Sequence, residues 1–329
     1  KYGITGATGL LGGNLAILLL SQGHQVVATK RKSSKTDHLS QFAIEWVDAS
    51  LTDHQSLAKA FAGCDGVFHC AAAVSIMMKV QPWIYEANII GTEQVIQAIQ
   101  LLPNTRLVHC SSVVAVGVAG AGTPYDETAK WNVPEQGLGD AYAVTKRQSE
   151  EMVFTAVAEK DIDAVVINPT YIIGPYDSKP SSGKLIVDYI KGKVPGYPPG
   201  TNNFVDVRDV VRGMIGAMEK GVKGERYILS GHNMRYKEFW DKVSEIDGKT
   251  KPLQRQLPFW LARLAGWFGD FQGWITGKEP LVNTATIRWS HVDFIFVSEK
   301  AQKQLGYTIS PIEPAIKDAI DWFRQNDIL

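Results

Sequence analysis

Short apolar runs alternate with helical patterns over the first two-thirds of the chain. YGIT (2–5) reads as a strand and LGGNLAILLLSQG (11–23) as a helix stopped by Gly23. QVVAT (25–29), IEWVD (44–48), GVFHCAA (66–72), RLVHCSS (106–112) and DAVVINP (163–169) have strand character. HQSLAKAFAG (54–63), WIYEANIIGTEQVIQAIQLL (83–102) and the stretch beginning AYAVTK at 141 have helical character. The strands are β-branched and apolar on both faces, as expected when helices cover both sides of a parallel sheet. Such alternation predicts a doubly wound α/β fold. IGPYDSKPSSGK and KGKVPGYPPGTNN are rich in Pro, Gly and Ser and read as loops. RYILS (226–230) looks like one more strand of the sheet, and helical patterns with tryptophans dominate after 231. The expected organisation is a sheet domain over 1–170, with 204–230 returning to it. A smaller, mostly helical substrate lobe of 171–203 and 231–329 is interleaved with it.

The loop after the first strand, ITGATGLLGG, holds Gly6, Gly9 and Gly12 at three-residue spacing and opens the first helix. Glycines there permit a tight turn, close approach of a pyrophosphate and close helix–strand packing. The helix N-terminus then faces the phosphates with free N–H groups and partial positive charge. NAD-selective sites usually carry an acid about 20 residues on, bound to the ribose hydroxyls. Here Lys30-Arg31-Lys32 stands in that place, and no Asp or Glu precedes Asp37. Arg can grip a 2′-phosphate bidentately, whereas an acid repels it. The expected cofactor is therefore NADP(H), held by Arg31 with Lys30 and Lys35 as helpers.

Tyr142 and Lys146 are four residues apart. On a helix they share a face, with Cβ atoms roughly 5–6 Å apart. A cation there favours the phenolate. A free Tyr has a pKa of about 10, and moving it near 7 takes roughly 4 kcal/mol.

Composition narrows the classes. Apolar residues make up 45% and charged residues 21% of the 329, which suits a soluble globular protein. Lys+Arg and Asp+Glu balance at 34 each, so no single-sign field suggests a nucleic-acid partner. Cys64, Cys70 and Cys110 form no CxxC pair and fit reduced residues of a cytoplasmic protein. No signal peptide is expected, and no metal. No run of 18 apolar residues predicts a membrane span. His69 and His109 read as satisfied buried histidines, Asn88 as a structural bridge, and Asp206 and Asp209 as residues that cap or orient the following helix.

LPFWLARLAGWFGDFQGWI (257–275) stands out. Trp260, Trp267 and Trp274 recur every seven residues, with Leu264 and Phe271 on the same helical stripe. Gly266, Gly269 and Gly273 are expected to interrupt the helix. The expected fate of the stripe is the small lobe's core, ahead of the substrate cleft and a membrane surface.

Several motifs in order resemble the extended short-chain dehydrogenase/reductases, most closely the branch of dihydroflavonol 4-reductases and 3β-hydroxysteroid dehydrogenases. They are TGATGLLG (5–12), VDASLTD (47–53), HCAAAV (69–74), NIIGT (88–92), CSSVVAVG (110–117), YAVTK (142–146), NPTYIIGP (168–175) and FVDVRDV (204–210). The resemblance implies a Rossmann fold. It places Gly6, Thr8, Gly9, Leu10, Leu11 and Gly12 on the cofactor, with Asp48 and Ala49 near the adenine. Ala71, Ala72, Ala73, Ser111, Pro169 and Ile172 complete the implied cofactor site. Tyr142 becomes the proton donor and Lys146 the residue that holds the nicotinamide ribose and lowers the Tyr142 pKa. Ser112 holds the substrate carbonyl, with Ser111 as the alternative. The implied activity is an NADPH-dependent carbonyl reductase, reversibly an alcohol dehydrogenase, acting on a small apolar ketone or aldehyde as a monomer or homodimer. The rivals are an NAD-dependent nucleotide-sugar epimerase or dehydratase and a non-catalytic cofactor-sensing protein on the same fold.

Overall fold

The computed structural model describes all residues except 76, 78, 119–121, 277–279 and 281. The expected strands form as β1 (Tyr2–Thr5), β2 (Val26–Lys30), β3 (Glu45–Asp48), β4 (Gly66–His69), β5 (Arg106–Cys110) and β6 (Ala164–Pro169). Strand β7 (Tyr171–Ile173) and strand β8 (Thr201–Asp206) follow, then β9 (Arg226–Leu229) and β10 (His232–Arg235). Seven of them make a parallel sheet in the order β3-β2-β1-β4-β5-β6-β9. Successive strands run outward from β1 in one direction and then from β4 in the other. The sheet therefore opens a crevice at the carboxyl ends of β1 and β4, where such folds bind ligands.

Both faces of the sheet are covered, which is why its strands read as apolar throughout. Helices α1 (Leu10–Ser21), α2 (His54–Ala60), α3 (Pro82–Tyr85), α4 (Gly91–Gln100), α5 (Ala141–Lys160), α6 (Lys184–Ile190) and α7 (Val207–Lys220) form in chain order. On one face Ile4, Phe68, Val108 and Ile167 pack with Leu15 of α1 and Met214 of α7. On the other, Val67, Leu107 and Val166 pack with Leu57 of α2, Val95 of α4 and Val153 of α5. Each fully buried Ile, Leu or Phe contributes about 1.5–3 kcal/mol. The helix expected over 83–102 is divided: a π-helical turn at Glu86–Ile90 separates α3 from α4 and turns Asn88 inward.

The remaining helices are α8 (Tyr236–Asp247), α9 (Phe259–Thr276), α10 (Thr284–Trp289), α11 (Glu299–Leu305) and α12 (Glu313–Gln325). A second sheet, β10-β8-β7, packs with α6, α8 and α12 around Phe204, whose ring stacks on Phe239 at 4.0 Å. The chain shuttles between the two sheets. After β8 it returns through α7 and β9 to the large sheet, and α11 packs there with Leu305 in the same core as α7.

Helix α9 departs from expectation twice. It runs unbroken from Phe259 to Thr276, and its aromatic stripe is not core. Trp260, Trp267 and Trp274 are 65%, 60% and 80% exposed, while Ala262, Gly266, Gly269 and Gly273 are buried. The physical reason lies with α10 and the segment before it. A Cβ at Gly269 would overlap the Val282 carbonyl oxygen, and one at Gly266 would sit 3.2 Å from the Thr284 backbone. Glycine costs about 1 kcal/mol per position in a helix, but here it lets two backbones touch. Asp270 Oδ2 fastens the contact by accepting from Thr284 Oγ1 at 2.6 Å.

Candidate active site

The glycine loop leaves β1 through Gly6, whose φ of +76° favours glycine. A Cβ on Gly6 would lie 2.6 Å from the Ala71 amide nitrogen, so the loop rests on the backbone that leaves β4. A Cβ on Gly12 would lie 2.5 Å from Gly6 O, which presses α1 against the loop. Gly9 differs. It is exposed, has φ −98° and ψ 173°, and a Cβ there would meet only Gly6 O at an ordinary 3.5 Å. It is the N-cap of α1, with no side-chain cap and no acid in the first turn. Packing within the chain leaves room for a side chain there, but a phosphate group over the helix N-terminus does not. The cradle thus fits a dinucleotide pyrophosphate. Thr8, Leu10 and Leu11 flank this turn, and Ala71, Ala72 and Ala73 line the crevice from the β4 side.

Three chemistry-bearing side chains lie near the end of β5. Asp140 caps α5 by accepting from Ala143 N at 2.8 Å, and so starts the helix two residues before Tyr142. The Ser112 hydroxyl faces the Tyr142 phenol and favours its ionised form. Ser112, not Ser111, is therefore the serine that reaches Tyr142; the Ser111 hydroxyl is buried without a partner. Lys146 is 4% exposed, and its Nζ donates to Cys110 O at 2.8 Å.

The electrostatics run against the sequence expectation. Burial pushes the Tyr142 phenol well above its ordinary pKa, with Ser112 pulling the other way. The Lys146 ammonium spends its hydrogen bond on the Cys110 carbonyl, and burial lowers its own pKa. Tyr142 therefore holds its proton firmly at neutral pH, the state a proton donor needs.

A supporting layer escaped sequence reasoning. Asn168 Nδ2 donates to Ser112 O at 3.0 Å and to Glu150 Oε2 at 2.7 Å. Glu150, fully buried on α5, also pairs with Arg226 at 3.0 Å. Asn168 lies in the NPTYIIGP stretch, but nothing local signals its partners. Asn88 bridges as expected: it accepts from Ala73 N at 2.7 Å and donates to Thr145 Oγ1 at 3.0 Å. Asp206 caps α7 by accepting from Arg208 N at 2.8 Å, and Asp209 accepts from Ser310 N at 2.8 Å. Pro169 ends β6 and Ile172 lies in β7, both following the same carboxyl edge of the sheet. Among the described residues, no group of three or more His, Cys, Asp or Glu side chains could hold a metal ion.

At the end of β2, Lys30 and Asp48 face each other across the β2–β3 register and form an ion pair at 2.6 Å. Lys30 is thus neutralised, and Asp48 is engaged by it. Arg31 and Lys35 are exposed, and no ion pair holds either among the described residues. Arg31 is the free cation nearest the strand end.

His69 and His109 neighbour each other on β4 and β5, with ring centroids 5.2 Å apart. His69 is satisfied by Thr5 Oγ1 at 2.7 Å and Thr92 Oγ1 at 3.2 Å. His109 is not: both ring nitrogens are buried without partners, contrary to expectation. Burial first, and then the Lys146 charge, drives the His69 pKa down to about 3.

Two predictions follow from this geometry. Gly9→Ala should unfold like the wild type yet bind nicotinamide cofactor more weakly. Gly12→Ala should lose about 1–3 kcal/mol of stability from overpacking. Urea unfolding and cofactor titration separate the two, and a destabilised Gly9→Ala overturns the cradle. The second concerns acid. An unfolded His takes its proton near 6.5, whereas folded His69 stays neutral down to about 3. Between those values the unfolded chain binds the extra proton, so stability falls as pH drops, by up to about 1.4 kcal/mol per pH unit for one side chain. Burial lowers the His109 pKa as well, so His109 adds to this slope and His109→Leu should flatten it in part without lowering the neutral-pH melting temperature; a pH-independent melting temperature between these limits contradicts the account.

Residues 3–230 match the NAD dependent epimerase/dehydratase family. The chain is 34% identical to the Synechocystis sp. protein named "Putative dihydroflavonol 4-reductase", covering 98% of this chain and 94% of that one. It is 31% identical to sterol demethylase protein B of Methylococcus capsulatus, covering 99% of each. Among solved structures it superposes on gox2253 with a TM-score of 0.84 at 32% identity, over 100% of this chain and 99% of that one. The cradle, the Tyr–Lys pair and these relatives together make the chain a member of the NAD dependent epimerase/dehydratase family, within the extended short-chain dehydrogenase/reductases.

Proposed function

We propose that the protein is an NADPH-dependent carbonyl reductase, working reversibly as an alcohol dehydrogenase on a small apolar ketone or aldehyde. The observation that carries this reading is the half-buried Tyr142, whose phenol faces the Ser112 hydroxyl and keeps its proton at neutral pH. When bound in this cradle, the cofactor would supply hydride to the carbonyl carbon. Ser112 orients the carbonyl oxygen by donating a hydrogen bond, as an oxyanion donor does. Tyr142 gives its proton to that oxygen as it becomes an alcohol. Lys146, fixed on Cys110 O, stands ready to hold the nicotinamide ribose. Gly6, Gly9 and Gly12 seat the pyrophosphate on the α1 N-terminus. Arg31, free of any carboxylate, supports a preference for a 2′-phosphate over a bare ribose.

An apolar core cluster lies beside the N-cap of α5. Trp289 donates from Nε1 to Asp140 Oδ2 at 2.5 Å, and Leu138, Phe294 and Phe296 pack behind it. The family description also covers epimerases, so nucleotide-sugar epimerisation is the second reading. It predicts conversion of a sugar nucleotide with no net consumption of NADPH.

Tyr142→Phe should cut turnover of a ketone panel by about 10²–10⁴-fold and leave NADPH binding within a few-fold. Reduction at the wild-type rate sinks the mechanism. Arg31→Ala should raise the KM for NADPH about tenfold, the loss of one charge-assisted contact, and leave that for NADH unchanged. A wild-type enzyme that uses NADH as well as NADPH overturns the cofactor assignment.

A further inference from the structure

The outward face of α9 has no role in the site just described. Placed at about 100° per residue, Trp260, Leu264, Trp267, Phe268, Phe271 and Trp274 fall within an arc of about 120°. No polar residue falls between them, and all six are exposed. Soluble domains do not leave a contiguous patch of this size in water without a use. The mounting of the helix is equally telling. Its small residues, Ala262, Gly266, Gly269 and Gly273, are the buried ones, so every bulky side chain projects outward.

Charge identifies what covers the face. From Asp247 to Asp270 the chain has no acidic residue but has Lys249, Lys251, Arg255 and Arg263. All four are exposed, and among the described residues none forms an ion pair. Asp270 is itself occupied by Thr284. Arg263 lies 5.8 Å from the ring centres of both Phe259 and Trp267, a cation at the polar edge of an aromatic face. Aromatic rings beside basic side chains suit the boundary between acyl chains and anionic headgroups. A parallel pairing of two α9 helices would instead bring the two basic runs together. None of the helices, among the described residues, is long and apolar enough to cross a membrane.

We propose that α9 docks the protein on a lipid bilayer containing anionic lipid, with Trp260, Trp267 and Trp274 at the acyl boundary and the 249–263 basic residues on the headgroups. Its neighbour α10 ties this surface to the active site. Arg288 Nη1 donates to Gly137 O at 2.8 Å and Trp289 Nε1 to Asp140 at 2.5 Å, just ahead of Tyr142. On the carbonyl-reductase reading, the docked enzyme takes a bilayer-dissolved carbonyl compound as substrate; the docking itself does not depend on that reading.

The test is co-sedimentation of the full chain with vesicles of phosphatidylcholine alone or mixed with phosphatidylglycerol, with tryptophan quenching by brominated lipid. The wild type should pellet with the mixed vesicles and show quenching. Trp260→Ser/Trp267→Ser/Trp274→Ser should lower the bound fraction at least tenfold, with an unchanged melting temperature and unchanged turnover of a water-soluble ketone. Lys249→Glu/Lys251→Glu/Arg255→Glu, which keeps the aromatic face intact, should lose about tenfold or more in affinity for mixed vesicles. It decides the matter should the tryptophan variant fold poorly. A wild type that stays in solution with both vesicle types overturns the proposal. So does binding that neither variant weakens. A concentration-dependent dimer abolished by the tryptophan changes, without vesicle binding, assigns α9 to a second copy instead. Vesicle binding without ketone turnover would refute the reductase and leave the docking standing.

Discussion

A Cβ on Gly6 would come within 2.6 Å of the Ala71 backbone, and one on Gly12 within 2.5 Å of Gly6 O. Three segments, the loop after β1, the start of α1 and the exit of β4, therefore touch through bare backbone. That contact sits where the strand order reverses, and it aims the N-terminus of α1 across the crevice. Side chains at Gly6 and Gly12 would push α1 off the sheet and close the approach to its free N–H groups. Ser111, Ser112 and Pro169 lie along the same carboxyl edge because parallel strands deliver their successors to one side. The glycine cradle and Ser112 thus share a single geometric cause.

Around that edge, polar groups hold one another rather than water. Lys146 is fixed by Cys110 O, Ser112 O by Asn168, and Asn168 by Glu150, which Arg226 neutralises in part. Removing a partner from a buried chain of this kind leaves a charge or a polar atom desolvated, at about 1–3 kcal/mol each. The rigidity matters for Tyr142. A phenol held among buried neighbours keeps its proton at neutral pH, and the direction of its shift follows from that burial.

The strands and their order of appearance were legible because parallel strands buried on both faces leave an unbroken apolar signature. The Tyr142–Lys146 pair and the glycine loop were legible because each is local. What failed was whatever depends on a distant partner. Glu150 and Asn168 are 18 residues apart and meet only through the sheet. The Lys30–Asp48 pair needed the β2–β3 register. The Tyr142 shift needed the packing density. Helix α9 shows the limit most clearly. Seven-residue spacing correctly put Trp260, Trp267 and Trp274 on one face, but periodicity says which residues share a face and not which face is covered. Gly266, Gly269 and Gly273 looked like breaks because glycine weakens an isolated helix; in place they are the contact surface.

The same device thus appears at two places with opposite consequences. At the glycine loop, backbone contact clears space for a phosphate group inside the crevice. At α9, it consumes the small face of the helix and leaves only large side chains to meet the outside. Because α10 carries both contacts, with Val282 and Thr284 lying against α9 at its start and Trp289 on Asp140 at its end, the aromatic face and the N-cap of α5 belong to one packed unit. A surface that covers α9 therefore bears on the residues that start the Tyr142 helix.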